Sequence, residues 1–271
     1  KWDNVTQGKE IQKGIDKIIK DFNVEEPTNS VKYLLELRKL INEGSKNQFS
    51  SFKLHQVDKL IILCSGLWIE YLSKSAQIST HDNVESVLSV ANQGTLNIQL
   101  NYINYASPSN NVRFDQPIVF DSIMTDHLFK YDIKQNREKN SAPYWLEKPA
   151  FKNIYSVSNF KEIGEPNNLP SIEVLLNFSI MGETFSVTKS LQYKYVDRSI
   201  GERYNSPFII PTITADIDKE VSLHTQLGTK EIHVKLMAHE EIEEETIDVN
   251  VPKGWISKPS RLKLKQVPKG Q

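Results

Sequence analysis

Along roughly the first 75 residues, apolar side chains recur with the period of an α-helix. Ile11, Ile15, Ile18, Ile19 and Phe22 form one stripe, with Lys13, Asp16, Lys17 and Lys20 on the opposite side. Pro27-Thr28-Asn29-Ser30 interrupts it. Ser30 is the expected N-cap of a second helix, whose stripe is Val31, Leu34, Leu37 and Ile41 and whose stop is Gly44. A third stripe, Leu54, Val57, Ile61, Cys64, Trp68 and Tyr71, is widened by Leu60 and Leu67 and places Trp68 in a core. Three facing stripes predict a small three-helix layer. The alternating spacing of the third stripe lasts under three heptads, too short for a coiled coil.

After Ser75 the period shortens to that of a half-buried strand. Glu85 to Ala91, Leu96 to Tyr105, Ile118 to Phe120 and Leu128 to Ile133 are β-rich, separated by polar clusters such as Ser107-Pro108-Ser109-Asn110-Asn111. Val174, Leu176, Phe178 and Ile180 alternate with polar residues, as do Phe185, Val187, Leu191, Tyr193 and Tyr195. Met181-Gly182-Glu183-Thr184 lies between the two arms, and an antiparallel hairpin is predicted. From Pro207 onward come Phe208 to Ile213, Val221 to Leu223, Glu231 to Met237, Thr246 to Val251 and Arg261 to Leu264. The fold class is therefore mainly β with an N-terminal helical segment: antiparallel immunoglobulin-like β-sandwiches after a small three-helix layer. The segments are a helical linker or bundle at 1–76, a β-sandwich at 77–205 and a partial second immunoglobulin-like sandwich at 206–271. That last segment is shorter than the roughly 100 residues such a domain takes, so it is expected to be truncated.

Composition narrows the function classes. With 271 residues, 38% apolar and 25% charged, the chain is globular, and 33 basic against 34 acidic residues leave no field to attract nucleic acid. The one cysteine, Cys64, excludes an internal disulfide framework and a cysteine-based zinc cluster. Leu60 to Ile69, the longest apolar run, is far shorter than the roughly 20 residues of a membrane span, so none is expected. The start at Lys1 and the loop-like Val267-Pro268-Lys269-Gly270-Gln271 are read as cut ends of a longer polypeptide.

Catalytic patterns are sparse. The six histidines are scattered, with no HExxH arrangement, and His239-Glu240-Glu241 only begins like one. His81-Asp82 has the shape of a metal or base pair, but it stands in the hinge between helices and strands, where a turn capped by Asp82 is the expected reading. There is no nucleophile elbow, phosphate-binding glycine loop or dinucleotide fingerprint. Glu240, Glu241, Glu243, Glu244, Glu245 and Asp248 balance Lys253, Lys258, Arg261, Lys263, Lys265 and Lys269, and are expected to pair across neighbouring strands. Tyr144, Trp145 and Trp255 stand in loop-like settings and are candidate stacking platforms for a glycan, against packing on a sheet edge.

One set of residues resembles a known family. Pro143-Tyr144-Trp145-Leu146, Tyr155-Ser156-Val157, the run Tyr193 to Tyr204 with Asp197, Gly201 and Glu202, then Pro207 and Ile210-Pro211, resemble the segment after the catalytic domain in bacterial PIG-L (LmbE-like) deacetylases. Trp2-Asp3-Asn4-Val5 with Gly8-Lys9-Glu10, and the run Leu60 to Trp68, are similar to its helical join. Val251-Pro252-Lys253-Gly254-Trp255 with Pro259 is similar to a strand-turn of sandwich modules attached to sugar-binding domains. Arg198 departs from the family pattern, where proline is expected, which leaves the turn after Asp197 less rigid.

The resemblance implies zinc-dependent removal of an N-acetyl group by the parent protein, through a His-Pro-Asp-Asp motif and a distant histidine. Nothing in these residues matches that motif, so no catalytic or metal-binding residue carries over. Zinc is then expected in a catalytic domain of the same polypeptide, with this chain as the accessory part that braces or positions it. Asp197, Gly201, Glu202 and Tyr204 are assigned a structural role: a glycine turn with carboxylates tying down backbone amides. A secreted or periplasmic location is the expectation that goes with the family. The alternative is a carbohydrate-binding β-sandwich module.

Overall fold

A computed structural model describes residues 2, 7–44, 47–80, 83–105, 111–121, 125–134, 140–170, 172–218, 221, 223 and 228–271, with backbone alone at 111–113 and 125–134. The His81-Asp82 pair, Asp3-Asn4-Val5, the loop 107–110, Ser222 and His224 lie outside the described residues. Strands hold 39% of the chain and helices 25%, so the protein is mainly β with an N-terminal helical segment. Among the described residues no helix is long and apolar enough to cross a membrane.

The helices are α1 (Gly8–Asp21), α2 (Val31–Glu43) and α3 (Gln48–Ser65). α2 buries its whole predicted stripe, and Val31, Leu34, Leu35, Leu37 and Ile41 all lie in the core. Ser30 does not cap it through its side chain, because a one-turn helix Pro27–Ser30 runs directly into it. A side-chain cap is present on α3, where Asn47 Oδ1 accepts the Ser50 N–H at 2.8 Å. The α1 stripe is only partly covered, with Ile11 fully buried but Ile19 and Phe22 70% and 49% exposed.

The third stripe is where the sequence reading needs correction. The helix ends at Ser65, Gly66 adopts the left-handed conformation at φ 73°, and strand β1 (Leu67–Ser73) begins at the next residue. Trp68 and Tyr71 are therefore strand residues, and Trp68 is 43% exposed on the outer face. Leu67, Ile69 and Tyr71 alternate inward at period 2, a pattern that the period of α3 had masked.

The chain divides into two compact units built from alternating segments: 1–74, 85–133 and 169–206 in one, and 75–84, 134–168 and 207–271 in the other. The first unit holds the helices and two sheets formed by β1, β3 (Asn83–Asn92), β4 (Ile98–Asn104), β5 (Asn111–Phe120), β6 (Thr125–Lys134), β7 (Glu173–Ile180), β8 (Glu183–Ser190), β9 (Gln192–Asp197) and β10 (Gly201–Asn205). One sheet has the order β10-β9-β1-β3-β6 and the other β5-β4-β7-β8. The β7–β8 hairpin turns at Met181-Gly182 in the predicted place, but its second arm stops at Ser190. Tyr193 and Tyr195 belong to β9, which joins the other sheet and pairs in parallel with β1 through Leu72↔Gln192 and Ser73↔Tyr193.

Each sheet buries one face. Leu88 and Val90 on β3, Ile98, Leu100 and Ile103 on β4, and Val174, Leu176, Phe178 and Ile180 on β7 are all fully inaccessible. Burial of each such side chain contributes about 1.5–3 kcal/mol. The Tyr71 and Tyr105 rings meet at 6.2 Å, linking β1 to the end of β4. On the other face of the four-stranded sheet a polar ladder runs across three strands: Asn101 Nδ2 donates to Asn177 Oδ1 and Ser179 Oγ, both at 2.8 Å, and Asn177 Nδ2 donates to Ser186 Oγ at 2.9 Å. It coincides with the register shift between Leu100 and Tyr102.

One polar group binds the sheets to each other. Asn92, fully buried at the end of β3, donates through Nδ2 to the carbonyls of Leu96, Phe120 and Asp121 at 2.8, 3.3 and 3.1 Å. Its Oδ1 accepts the Gly94 N–H at 3.0 Å. The Gln93 N–H donates to the Gly66 carbonyl at 2.8 Å, so the helix-to-strand switch is held against the same turn.

The second unit carries three two-stranded ladders: β2 (Gln77–Ser79) with β11 (Phe208–Ile210), β12 (Ile213–Ile217) with β13 (Val234–Ala238), and β14 (Ile242–Asp248) with β15 (Arg261–Val267). The acidic and basic blocks do pair across strands: Arg261 Nε lies 2.6 Å from Asp248 Oδ1 and Lys265 Nζ 3.6 Å from Glu244 Oε1.

Asn92→Ala is expected to lower unfolding free energy by about 2–4 kcal/mol, since it removes four hydrogen bonds to buried and part-buried backbone groups. Gly66→Ala is expected to cost about 2 kcal/mol or more, because a Cβ there would lie 2.7 Å from the Gly94 nitrogen in addition to the left-handed penalty. Urea denaturation of both variants checks these values, and losses under 1 kcal/mol would contradict them.

Candidate functional site

The family-like residues Asp197, Gly201, Glu202 and Tyr204 fall on one β-hairpin, β9–β10, at the edge of the five-stranded sheet. Asp197 Oδ1 accepts the Ser199 N–H at 2.8 Å, the Ser199 hydroxyl at 2.7 Å and the Ile200 N–H at 3.1 Å. This Asx-type turn starts the three-residue loop, and Gly201 closes it at φ 85°, where a side chain would be strained. The Asp197 carboxyl is held below its usual range by the Ser199 hydroxyl and then by the two amides.

Glu202 does not tie down amides. It joins a surface cluster with Lys194, Tyr204 and Glu70 of β1, formed because Glu202, Tyr204 and Lys194 share one face of the hairpin. Lys194 Nζ lies 3.0 Å from Glu202 Oε1 and 3.6 Å from Glu70 Oε1. The Tyr204 hydroxyl is 3.0 Å from Glu70 Oε1 and 3.2 Å from Glu202 Oε2, and the Lys194 ammonium sits 5.5 Å above the Tyr204 ring. The Lys194 contact holds the Glu202 carboxyl below its usual range, and Glu202, Tyr204 and Glu70 together hold the Lys194 amine above its own. Chemically the cluster is a closed set in which one cation and one hydroxyl serve two carboxylates. Lys194 and Glu70 were not singled out from sequence. Lys194 stands inside the Tyr193–Tyr204 run, whereas Glu70 is distant in sequence and carries no local signal.

The candidate glycan platforms lie in the second unit. Tyr144 and Trp145 form a one-turn helix, Tyr144–Leu146, with their rings in a T-shaped contact at 4.8 Å. Tyr144 is buried; its N–H donates to Asn168 Oδ1 at 2.9 Å and its hydroxyl to the Glu165 carbonyl at 3.2 Å. It therefore anchors the loop and presents no face for stacking. Trp255 is 53% exposed, following the turn in which its N–H donates to the Pro252 carbonyl at 3.1 Å. Among the described residues no group of three or more His, Cys, Asp or Glu side chains is placed to hold a metal ion.

No family model matches the chain, and no curated protein matches it. Two of the solved structures that are weakly similar to it illustrate the level of likeness. One is a β-glucosidase, EmGH1, from Erythrobacter marinus, at 13% identity and TM-score 0.19, over 47% of this chain and 16% of that one. The other is the Pseudomonas fluorescens alkylpurine DNA glycosylase AlkC bound to DNA containing an abasic site analog, at 8% identity and TM-score 0.21, over 63% of this chain and 48% of that one.

Because the folded-state values of Asp197 and Glu202 lie below their unfolded ones, their contribution to stability is present above about pH 4.5. It is lost as pH falls through the folded values. Thermal unfolding followed from pH 7 to pH 2.5 is expected to show a smaller acid-induced drop in Tm for Asp197→Ala and Glu202→Gln than for the parent. An unchanged acid limb in both would contradict the assignment.

Proposed function

We propose that this chain is a non-catalytic accessory region of a PIG-L-like zinc-dependent N-deacetylase that braces or positions the catalytic domain of the same polypeptide. The observation that carries the reading is the β9–β10 hairpin, where the family-like residues form one self-paired surface element clamped to β1 through Glu70. A hairpin stiffened in this way suits a rigid spacer: Lys194 pairs with Glu202 across its two strands and its loop is held by Asp197.

In the same reading the first unit is an immunoglobulin-like sandwich. Support comes from strand order: lettering β1, β3, β4, β5, β6, β7 and β8 as A, B, C, C′, E, F and G turns the sheets into A-B-E and C′-C-F-G. These are the neighbours that Greek-key immunoglobulin-type sandwiches use. The β9–β10 hairpin then extends strand A at its free edge.

Glycan binding is the second reading, favoured by the exposure of Trp255. Assays of the purified chain on N-acetylated amino sugars, with and without added zinc, are expected to show no acetate release, and zinc-dependent turnover would overturn the accessory reading. Affinity electrophoresis through glycan-containing gels separates the two readings. Retardation lost in Trp255→Ala or Trp145→Ala supports the second one, and unretarded migration on every glycan removes it.

A further inference from the structure

Between α3 and β8, within the first unit, lies a cleft of about 220 Å³. His55, Lys59 and Ile62 on α3 follow one another along one helical face, and Val187 and Lys189 approach from β8. Asp58 also lines the cleft, but its carboxylate is buried and taken by Arg38, whose Nε lies 2.6 Å from Oδ1 on the α2 side. Burial pushes the Asp58 carboxyl up despite Arg38, and the positive charge that opposes this shift comes from Arg38 and His55. Neither Lys59 nor Lys189 has an ion-pair partner among the described residues.

Two ammonium groups thus share a partly apolar cleft with no carboxylate answering them. Burial, and then the charge of Lys59, holds the Lys189 amine below the usual lysine range. Such repulsion is relieved by an anion placed between the two, with Lys189 half-buried and Lys59 and His55 at the exposed mouth of the cleft.

We propose that this cleft binds a phosphate or sulfate group between Lys59 and Lys189, with His55 as a further donor and Ile62 and Val187 facing the organic part of an esterified ligand. A dianion matches the two ammonium charges, and the cavity is larger than a bare tetrahedral oxyanion needs. The site does not depend on the accessory reading, because it uses no residue of the β9–β10 hairpin.

Calorimetric titration of the full chain at pH 7 and low ionic strength, with inorganic phosphate, inorganic sulfate, phenyl phosphate and phenol, tests the site. One-site saturable binding of at least one oxyanion is expected, weakened at least tenfold in Lys59→Gln and in Lys189→Gln but retained in Lys189→Arg. Tighter binding of phenyl phosphate than of inorganic phosphate assigns an esterified ligand, and equal binding a free ion. Since each Gln variant removes a like-charge contact, both are expected to melt no lower than the parent without ligand and to lose the ligand-induced rise in Tm. In the parent, NMR titration of the Lys189 ε-methylene is expected to show its pKa rising when phosphate is bound, a readout that needs no variant. Heats that fail to saturate with every oxyanion, binding unchanged in Lys189→Gln, or phenol binding as tightly as phenyl phosphate would overturn the proposal.

Discussion

The first unit depends on a close approach of two glycines. A side chain at Gly66 would meet the Gly94 backbone at 2.7 Å, and one at Gly94 would meet the Ser65 carbonyl oxygen at 2.1 Å. Only bare backbone fits on both sides, so the end of α3 and the turn after β3 are forced together. Asn92 sits inside this contact and converts it into a clamp: its amide reaches β5 and the entry to β4 while its oxygen holds the Gly94 amide. Helical layer and both sheets thereby share one buried polar junction, satisfied on every side, where a missing partner would cost more than most apolar contacts contribute.

Charge is arranged differently on the two sheets of the first unit. On the five-stranded sheet, Glu70, Lys194, Glu202 and Tyr204 neutralise each other locally. Beside β8, Arg38 takes Asp58 and leaves Lys59 and Lys189 facing a common space. A chain with almost no net charge can therefore hold a positive cleft, because partners are assigned by packing and not by composition.

Much of the secondary structure was legible. The α2 stripe, the β7–β8 hairpin and the charge pairing of β14 with β15 follow from period and from complementary blocks. The failures have a common cause. Leu60 to Ile69 is apolar apart from Ser65 and Gly66, so period alone could not separate the end of a helix from the start of a strand, and those two residues were the only mark of the change. Likewise Tyr193 and Tyr195 continue the alternation of β8, and nothing local says that Leu191 is where the chain changes sheets.

Sequence alone determined the class of the protein, its helical beginning, its predominance of strands and the turn chemistry of Asp197 and Gly201, because these rest on contacts a few residues apart. Tertiary structure decided that Trp68 is a surface residue, that Tyr144 is an anchor, that Glu70 belongs with Lys194 and that Lys59 faces Lys189. Those pairings join residues separated by scores of positions. Their physical basis is sheet register and the seating of α3 against β8, neither of which leaves a periodic trace in the chain.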